Sequence, residues 1–217
     1  MQKCIIISIR PEWVEKILNG EKTIEIRKTM PKCNYPIDVY IYCTKGTHKG
    51  KLNSWFDYCG YKPSPYEEGY ICNGKIVAKF TLNKVDKYQI YDNYSEYGTW
   101  FKNGLILLQI KDIKDFYKNS CLNKKDLENY IEISDIEYYQ HNIETNKNIF
   151  YVWHIDNLEI FNKPMELSEF YKNGTYNLDD FIYYLYNKSN KYSDYLLGRR
   201  IRKAPQSWCY AWRKLND

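Results

Sequence analysis

Ser8-Ile9-Arg10-Pro11-Glu12-Trp13-Val14-Glu15-Lys16-Ile17-Leu18-Asn19-Gly20-Glu21-Lys22-Thr23-Ile24-Glu25-Ile26-Arg27-Lys28 carries three structural changes in twenty-one positions. It follows an apolar run, Ile5 to Ser8, that reads as a strand. Pro11 suits a first helical position, where its missing N–H costs nothing. Trp13, Val14, Ile17 and Leu18 recur at helical spacing and form one apolar face. Gly20 then stands where a left-handed C-cap is needed. From Thr23 to Lys28 the period switches to two, so Ile24 and Ile26 face one way and Thr23, Glu25 and Arg27 the other. Lys22 sits at the bend just before them.

Outward from this stretch, further strands are read at Ile37 to Cys43, Gly74 to Leu82, Phe150 to Ile160 and Ser207 to Arg213. Pro63 and Pro65 mark loop. The residues between the strands at Gly74 and Phe150 have helical character. Asn123 to Ile131 reads as a helix, and Ser134 with Glu137 resembles a capping box. Another helix is expected from Leu178 to Tyr186. Five or six strands with few helices between them do not suggest alternating βαβ units. They suggest an α+β chain built on a small barrel, closed or nearly so, because closure removes the sticky edges of strands rich in Tyr and Ile.

The 217 residues suit one domain with insertions at about 86–147 and 166–203, long enough to bury a core without staples. The 24 tyrosines accompany abundant Asn, Lys and Ile, which AT-rich codons explain, so they are no argument for base stacking. Seven cysteines form no C-x-x-C pair. The odd number argues against a disulfide framework, the spacing argues against zinc, and both fit a reducing cytoplasm. The N-terminal apolar run is too short for a signal peptide or a membrane span. No P-loop, no G-x-S-x-G and no H-E-x-x-H occurs, and neither a cofactor nor a metal is expected.

The net charge is +5, but residues from Lys188 onward carry eight Lys/Arg against two Asp/Glu. Within that region Arg199, Arg200, Arg202 and Lys203 form the densest basic run. It can track a phosphate backbone or simply be a solvated turn. Arg10, just before the first helix, can meet phosphate together with the free N–H groups of a helix start. His154, within an apolar strand, is either a ligand contact or a histidine satisfied by backbone. Trp13, Trp208, Tyr210 and Trp212 offer stacking area, although their spacing favours core roles.

The strongest constellation is Lys22, Glu25 and Arg27. Two cations flanking a carboxylate can take a phosphate while the carboxylate accepts from a base amino group. Lys22 can act as base or nucleophile if burial lowers its pKa, with Glu25 as its catalytic partner. The alternative is a structural ion pair.

The opening stretch, with its G-x-K-T-x-E-x-R turn and strand, resembles the start of ASCH-domain proteins. Val39 to Cys43, Gly74 to Leu82, Tyr151 to Ile155 with Lys163-Pro164, and Ala204 to Tyr210 agree with it. The last of these looks like the end of ASCH-like proteins from phages and low-GC bacteria. The resemblance implies a PUA-like barrel and a role near RNA. Some members look like amidohydrolases of acetylcytidine that use a Lys and a Thr in this turn, with a Glu further on. The matching Lys is Lys22, but the position three residues later holds Glu25, and Thr23 is displaced beside Lys22. The leading expectation is therefore binding of RNA or a modified nucleoside by Arg10, Lys22, Thr23, Glu25, Arg27, His154 and the basic run, without a membrane. A hydrolase of acylated cytidine or RNA, and a phage-type protein sequestering a nucleotide or host factor, are the competing expectations.

Overall fold

The structure is a computed structural model, and it describes residues 2–45, 73–92, 99–106, 109–131, 134–135, 148–172 and 200–213. The chain divides into two compact units. The first comprises Met1–Glu15, Ile37–Thr81 and Asn157–Asp217, and the second Lys16–Pro36 and Leu82–Asp156. Strands and helices are intermixed, as an α+β chain requires.

The first unit is built on a six-stranded sheet. Its strands are β1 (Gln2–Ile9), β3 (Ile37–Cys43), β4 (Ile76–Leu82), β10 (Asp156–Met165), β11 (Phe170–Tyr171) and β12 (Trp208–Arg213), in the order β10-β4-β3-β1-β12-β11. β1 lies inside the sheet. It runs parallel to β3, with Ile5 opposite Val39, and antiparallel to β12, with Ile5 opposite Tyr210. An inner strand covered on both faces shows no alternation, which is why Cys4 to Ile9 is an unbroken buried run. Cys4, Ile6, Tyr40, Ile76, Phe170 and Ala211 pack into one core on the sheet. Burial pushes the pKa of the Cys4 and Cys43 thiols up to about 12, so neither is a thiolate near neutrality.

The second unit holds the other six-stranded sheet. Its strands are β2 (Ile24–Arg27), β5 (Val85–Asp92), β6 (Thr99–Lys102), β7 (Leu105–Ile106), β8 (Ser134–Asp135) and β9 (Ile149–His154). The order is β2-β9-β5-β6-β7, with β8 also on β5. The helices α2 (Ile110–Ser120) and α3 (Lys124–Tyr130) supply the cover. Ile24, Ile26, Tyr88, Ile90, Trp100, Phe116 and Phe150 share one core. Many of its rings meet edge to face or tilted, for example Trp100 and Phe116 with centroids 5.0 Å apart. Such pairs add about 0.5–1.5 kcal/mol each beyond the area they bury.

Several expectations hold in detail. The helix α1 (Pro11–Leu18) buries Val14, Ile17 and Leu18, and Gly20 has φ +80°, the left-handed conformation its position demands. α3 begins at Asn123, whose side chain accepts from Asp126 N while Asp126 accepts from Asn123 N. Other expectations need correction. The strand expected from Phe150 to Ile160 is two strands that belong to different sheets. They break at Ile155, whose N–H donates to Thr23 O at 3.0 Å, and Asn157 turns the chain at φ 48°. Ser134 lies in β8, opposite Tyr91, and its expected capping partner Glu137 lies outside the described residues. α2 and α3 do fall inside the 86–147 segment, but strands β5 to β7 precede them there. The helix expected from Leu178 to Tyr186 lies outside the described residues. Among the described residues no helix is long and apolar enough to cross a membrane.

Candidate functional site

β2 is the edge strand of its sheet, and it pairs with β9 so that Glu25 faces Trp153 and Arg27 faces Tyr151. The two-residue period sends Ile24 and Ile26 into the core and leaves Glu25 and Arg27 on the opposite face. Before the strand, the chain is pinned on both sides. Lys22 N donates to Lys16 O at 2.8 Å, and Thr23 N donates to Asn119 O at 2.9 Å near the end of α2. These bonds fix where the Lys22 side chain starts.

Lys22 Nζ donates to Ser120 O at 2.7 Å and lies 3.3 Å from Glu25 Oε2. Arg27 Nη2 lies 3.1 Å from Glu25 Oε1. Each carboxylate oxygen therefore holds one cation. The side chains are 3%, 10% and 12% exposed for Lys22, Glu25 and Arg27. Taking such charges out of water is costly unless each is matched, and removing one partner strands the other. Two cations and one carboxylate are thus held together at the head of β2, where water screens charge little.

A second cluster lies in the same unit, and most of it has no local signature in the sequence. Asp86, near the start of β5, is buried. Asn103 Nδ2 donates to its Oδ1 at 3.0 Å. Its Oδ2 lies 2.8 Å from His154 Nε2, 3.1 Å from Lys102 Nζ and 3.9 Å from Lys84 Nζ. Asn103 occupies the left-handed region at φ 52°, followed by Gly104 at φ 85°, in the two-residue turn that joins β6 to β7. Its Oδ1 also accepts from Lys87 N at 2.7 Å.

Burial alone would raise the Asp86 pKa. The hydrogen bonds from Asn103, His154 and Lys102, with the charge of Lys102, more than offset that and bring it down to about 2. Asp86 is therefore a carboxylate at neutral pH and accepts only. That fixes the proton of His154 on Nε2, and in the neutral ring Nδ1 becomes the accepting nitrogen. The outer members remain wet: Lys84, Lys102 and His154 side chains are 60%, 35% and 24% exposed.

The expected site residues thus fall into separate groups. Lys22, Glu25 and Arg27 are brought together, with Thr23 exposed beside them. His154 is the Cα partner of Ile24, so it emerges on the face opposite Glu25, and its partner is a carboxylate and not the backbone. Arg10 is exposed in the first unit, and its carbonyl accepts from Trp13 N and Val14 N at 3.0 Å. Of the basic run, Arg199 lies outside the described residues. Arg200 bridges to Tyr171 and lies over its ring at 5.9 Å, while Arg202 and Lys203 are exposed. Trp208, Tyr210 and Trp212 are half-buried on one face of β12. Among the described residues no group of three His, Cys, Asp or Glu side chains could hold a metal ion.

Sequence reasoning misses Asp86 because its partners sit far apart in the chain. The one signal present is the alternation of Asp86, Tyr88 and Ile90 against Val85, Lys87 and Gln89, which marks β5.

The comparisons with known proteins bear on the whole chain. A search of curated proteins finds no match. Among solved structures, the ASCH protein from Zymomonas mobilis is similar at a TM-score of 0.44 and 12% identity, over 95% of this chain and 85% of that one. Two mutant forms of the same protein give 0.44 and 0.42, both at 12% identity, over 95% and 96% of this chain and 86% and 90% of theirs. The family model of the ASCH domain matches residues 7–165. That span covers well over half of the sequence, and the chain belongs to the ASCH domain family.

Proposed function

We propose that this ASCH domain binds RNA, or a modified nucleoside within it, through the head of β2. The observation that carries the reading is the Lys22–Glu25–Arg27 array, in which two cations share one carboxylate at 3.3 and 3.1 Å. Cations held in a fixed framework and little screened by water are suited to attract phosphate. Arg27, the less buried of the two cations, brings its planar guanidinium toward the surface beside the exposed Thr23 hydroxyl, a pairing that suits a phosphate or a base edge. Lys22 and Glu25 belong to the framework in this reading. Both are committed to partners, and Ser120 O holds the ammonium in place. The exposed Arg202 and Lys203, with Arg10, add basic surface in the first unit.

Fluorescence polarisation with a labelled single-stranded RNA over a salt series tests this. Affinity should fall as salt rises. Replacing Arg27 by Ala removes a charge-assisted contact and should weaken binding about tenfold at low salt. An absence of RNA binding at low salt would sink the reading.

A further inference from the structure

The pairing register brings a second set of groups to the end of the sheet at which β2 begins. Ile24 lies opposite His154, and Val85 lies opposite Trp153, so Thr23, His154 and Lys84 stand nearly level at the ends of β2, β9 and β5. The bond from Ile155 N to Thr23 O ties the chain just past β9 to the start of β2. Lys102, the last residue of β6, extends the row through Asp86. From β2 to β6 is three strand spacings, about 14 Å. Lys84 and Lys102 both approach Asp86 and both reach solvent, while a second carboxylate at this end, Asp156, accepts from Asn83 at 2.8 Å.

His154 differs from its neighbours in the row. It is neither sealed in the core nor loose on the surface. Asp86 holds its Nε2 and so fixes the ring orientation, and in the neutral ring this leaves Nδ1 as the acceptor. Asp86 is held in turn by Asn103, which is itself anchored to Lys87 N. A histidine oriented through two successive layers of partners, and itself reached by water, is prepared to accept a hydrogen bond from a ligand hydroxyl. Cations next to it suit a ligand that carries a phosphate beside that hydroxyl. The ribose–phosphate unit of a single-stranded RNA has this chemistry, and the 2′-hydroxyl is the group by which a protein distinguishes RNA from DNA.

We infer that His154, positioned by Asp86, accepts from the ribose 2′-hydroxyl of a bound RNA strand and sets a preference for RNA over DNA, while Lys84 and Lys102 contact the adjoining phosphates. The inference rests on the RNA-binding reading above and adds the feature of RNA that is recognised. The test compares one single-stranded sequence as RNA, as DNA and as 2′-O-methyl RNA, each measured by polarisation with the full chain. The native protein should prefer RNA over both others. His154→Ala should reduce the RNA-to-DNA affinity ratio about fivefold, the worth of one neutral hydrogen bond. Lys84→Ala should weaken RNA and DNA alike and lower the salt slope by about one. An independent readout needs no variant in the binding step. With ¹⁵N-labelled histidine, the His154 Nδ1 resonance should shift when RNA is added and stay in place with DNA, the signal being assigned by its absence in the His154→Gln spectrum. RNA binding with an unchanged ratio and a stationary Nδ1 overturns this inference alone. Binding of neither RNA nor DNA overturns the RNA-binding reading as well.

Discussion

The two charged clusters of the second unit are built from the same parts and differ in their access to water. Each places one carboxylate between two cations, at 3.3 and 3.1 Å around Glu25 and at 3.1 and 3.9 Å around Asp86. Around Glu25 the cations are nearly sealed, and one of them is spent on a backbone carbonyl. Around Asp86 the carboxylate is buried but its cations reach solvent. A sealed pair behaves as structure, since losing either partner leaves an unmatched charge in a poor solvent. An open pair can exchange one of its contacts for a ligand at small cost. The difference in exposure, more than the residue types, sets how easily each cluster can give up a contact: Lys22 and Glu25 are fixed, Arg27 is the least buried of its group, and the lysines around Asp86 are freer still.

The comparison can be broken most sharply at Glu25. Glu25→Ala leaves the Lys22 ammonium buried with Ser120 O, and stability measured by urea denaturation should fall by about 3–5 kcal/mol. A loss below about 1 kcal/mol, the range of a solvated pair, would mean that the array is wetter than its geometry shows.

Asp86 should show a smaller effect with a definite pH dependence. Its folded pKa of about 2 lies below the ordinary 3.8, so its contribution is fully present above about pH 4 and is lost as pH falls toward 2. With its lysines in solvent, that contribution is about 1–2 kcal/mol. Asp86→Asn should therefore be less stable than the native protein at pH 6 and should converge with it near pH 2. Parallel stability curves across that range would remove the carboxylate from the account.

Lys84→Ala should barely move stability, by less than about 0.5 kcal/mol, because the residue is mostly exposed and 3.9 Å from Asp86. Its effect should appear in nucleic-acid affinity instead. A large stability loss here would show that the open cluster is framework too.

Much of this molecule is legible in the sequence where the information is local. The helix start at Pro11, the Gly20 cap, the alternation of Ile24 and Ile26 and the Asn123 helix start all depend on residues within a few positions of each other. All of them appear in the structure. The Lys22–Glu25–Arg27 grouping is visible for the same reason. What spacing does not show is how deeply the group is buried, because Ser120 reaches Lys22 across 98 positions. The break at Ile155 leaves only a faint local trace, the polar pair Asp156-Asn157 and a change of phase from Trp153 and Ile155 to Leu158 and Ile160, and it is the pairing of Ile155 with Thr23 that ends the strand. The Asp86 cluster gathers residues 84, 86, 102, 103 and 154, and it exists only once β9, β5 and β6 are side by side.

The Asn103-Gly104 corner has a further consequence for anyone who alters this chain. A tight turn is usually interchangeable, and several dipeptides close a hairpin equally well. Here the amide of Asn103 grips both Asp86 and the Lys87 backbone, so Asn103→Gly would keep the hairpin's shape while releasing its hold on the acid that aims His154. Loop grafting or library design at this position would thus yield proteins that fold well and have lost their steering.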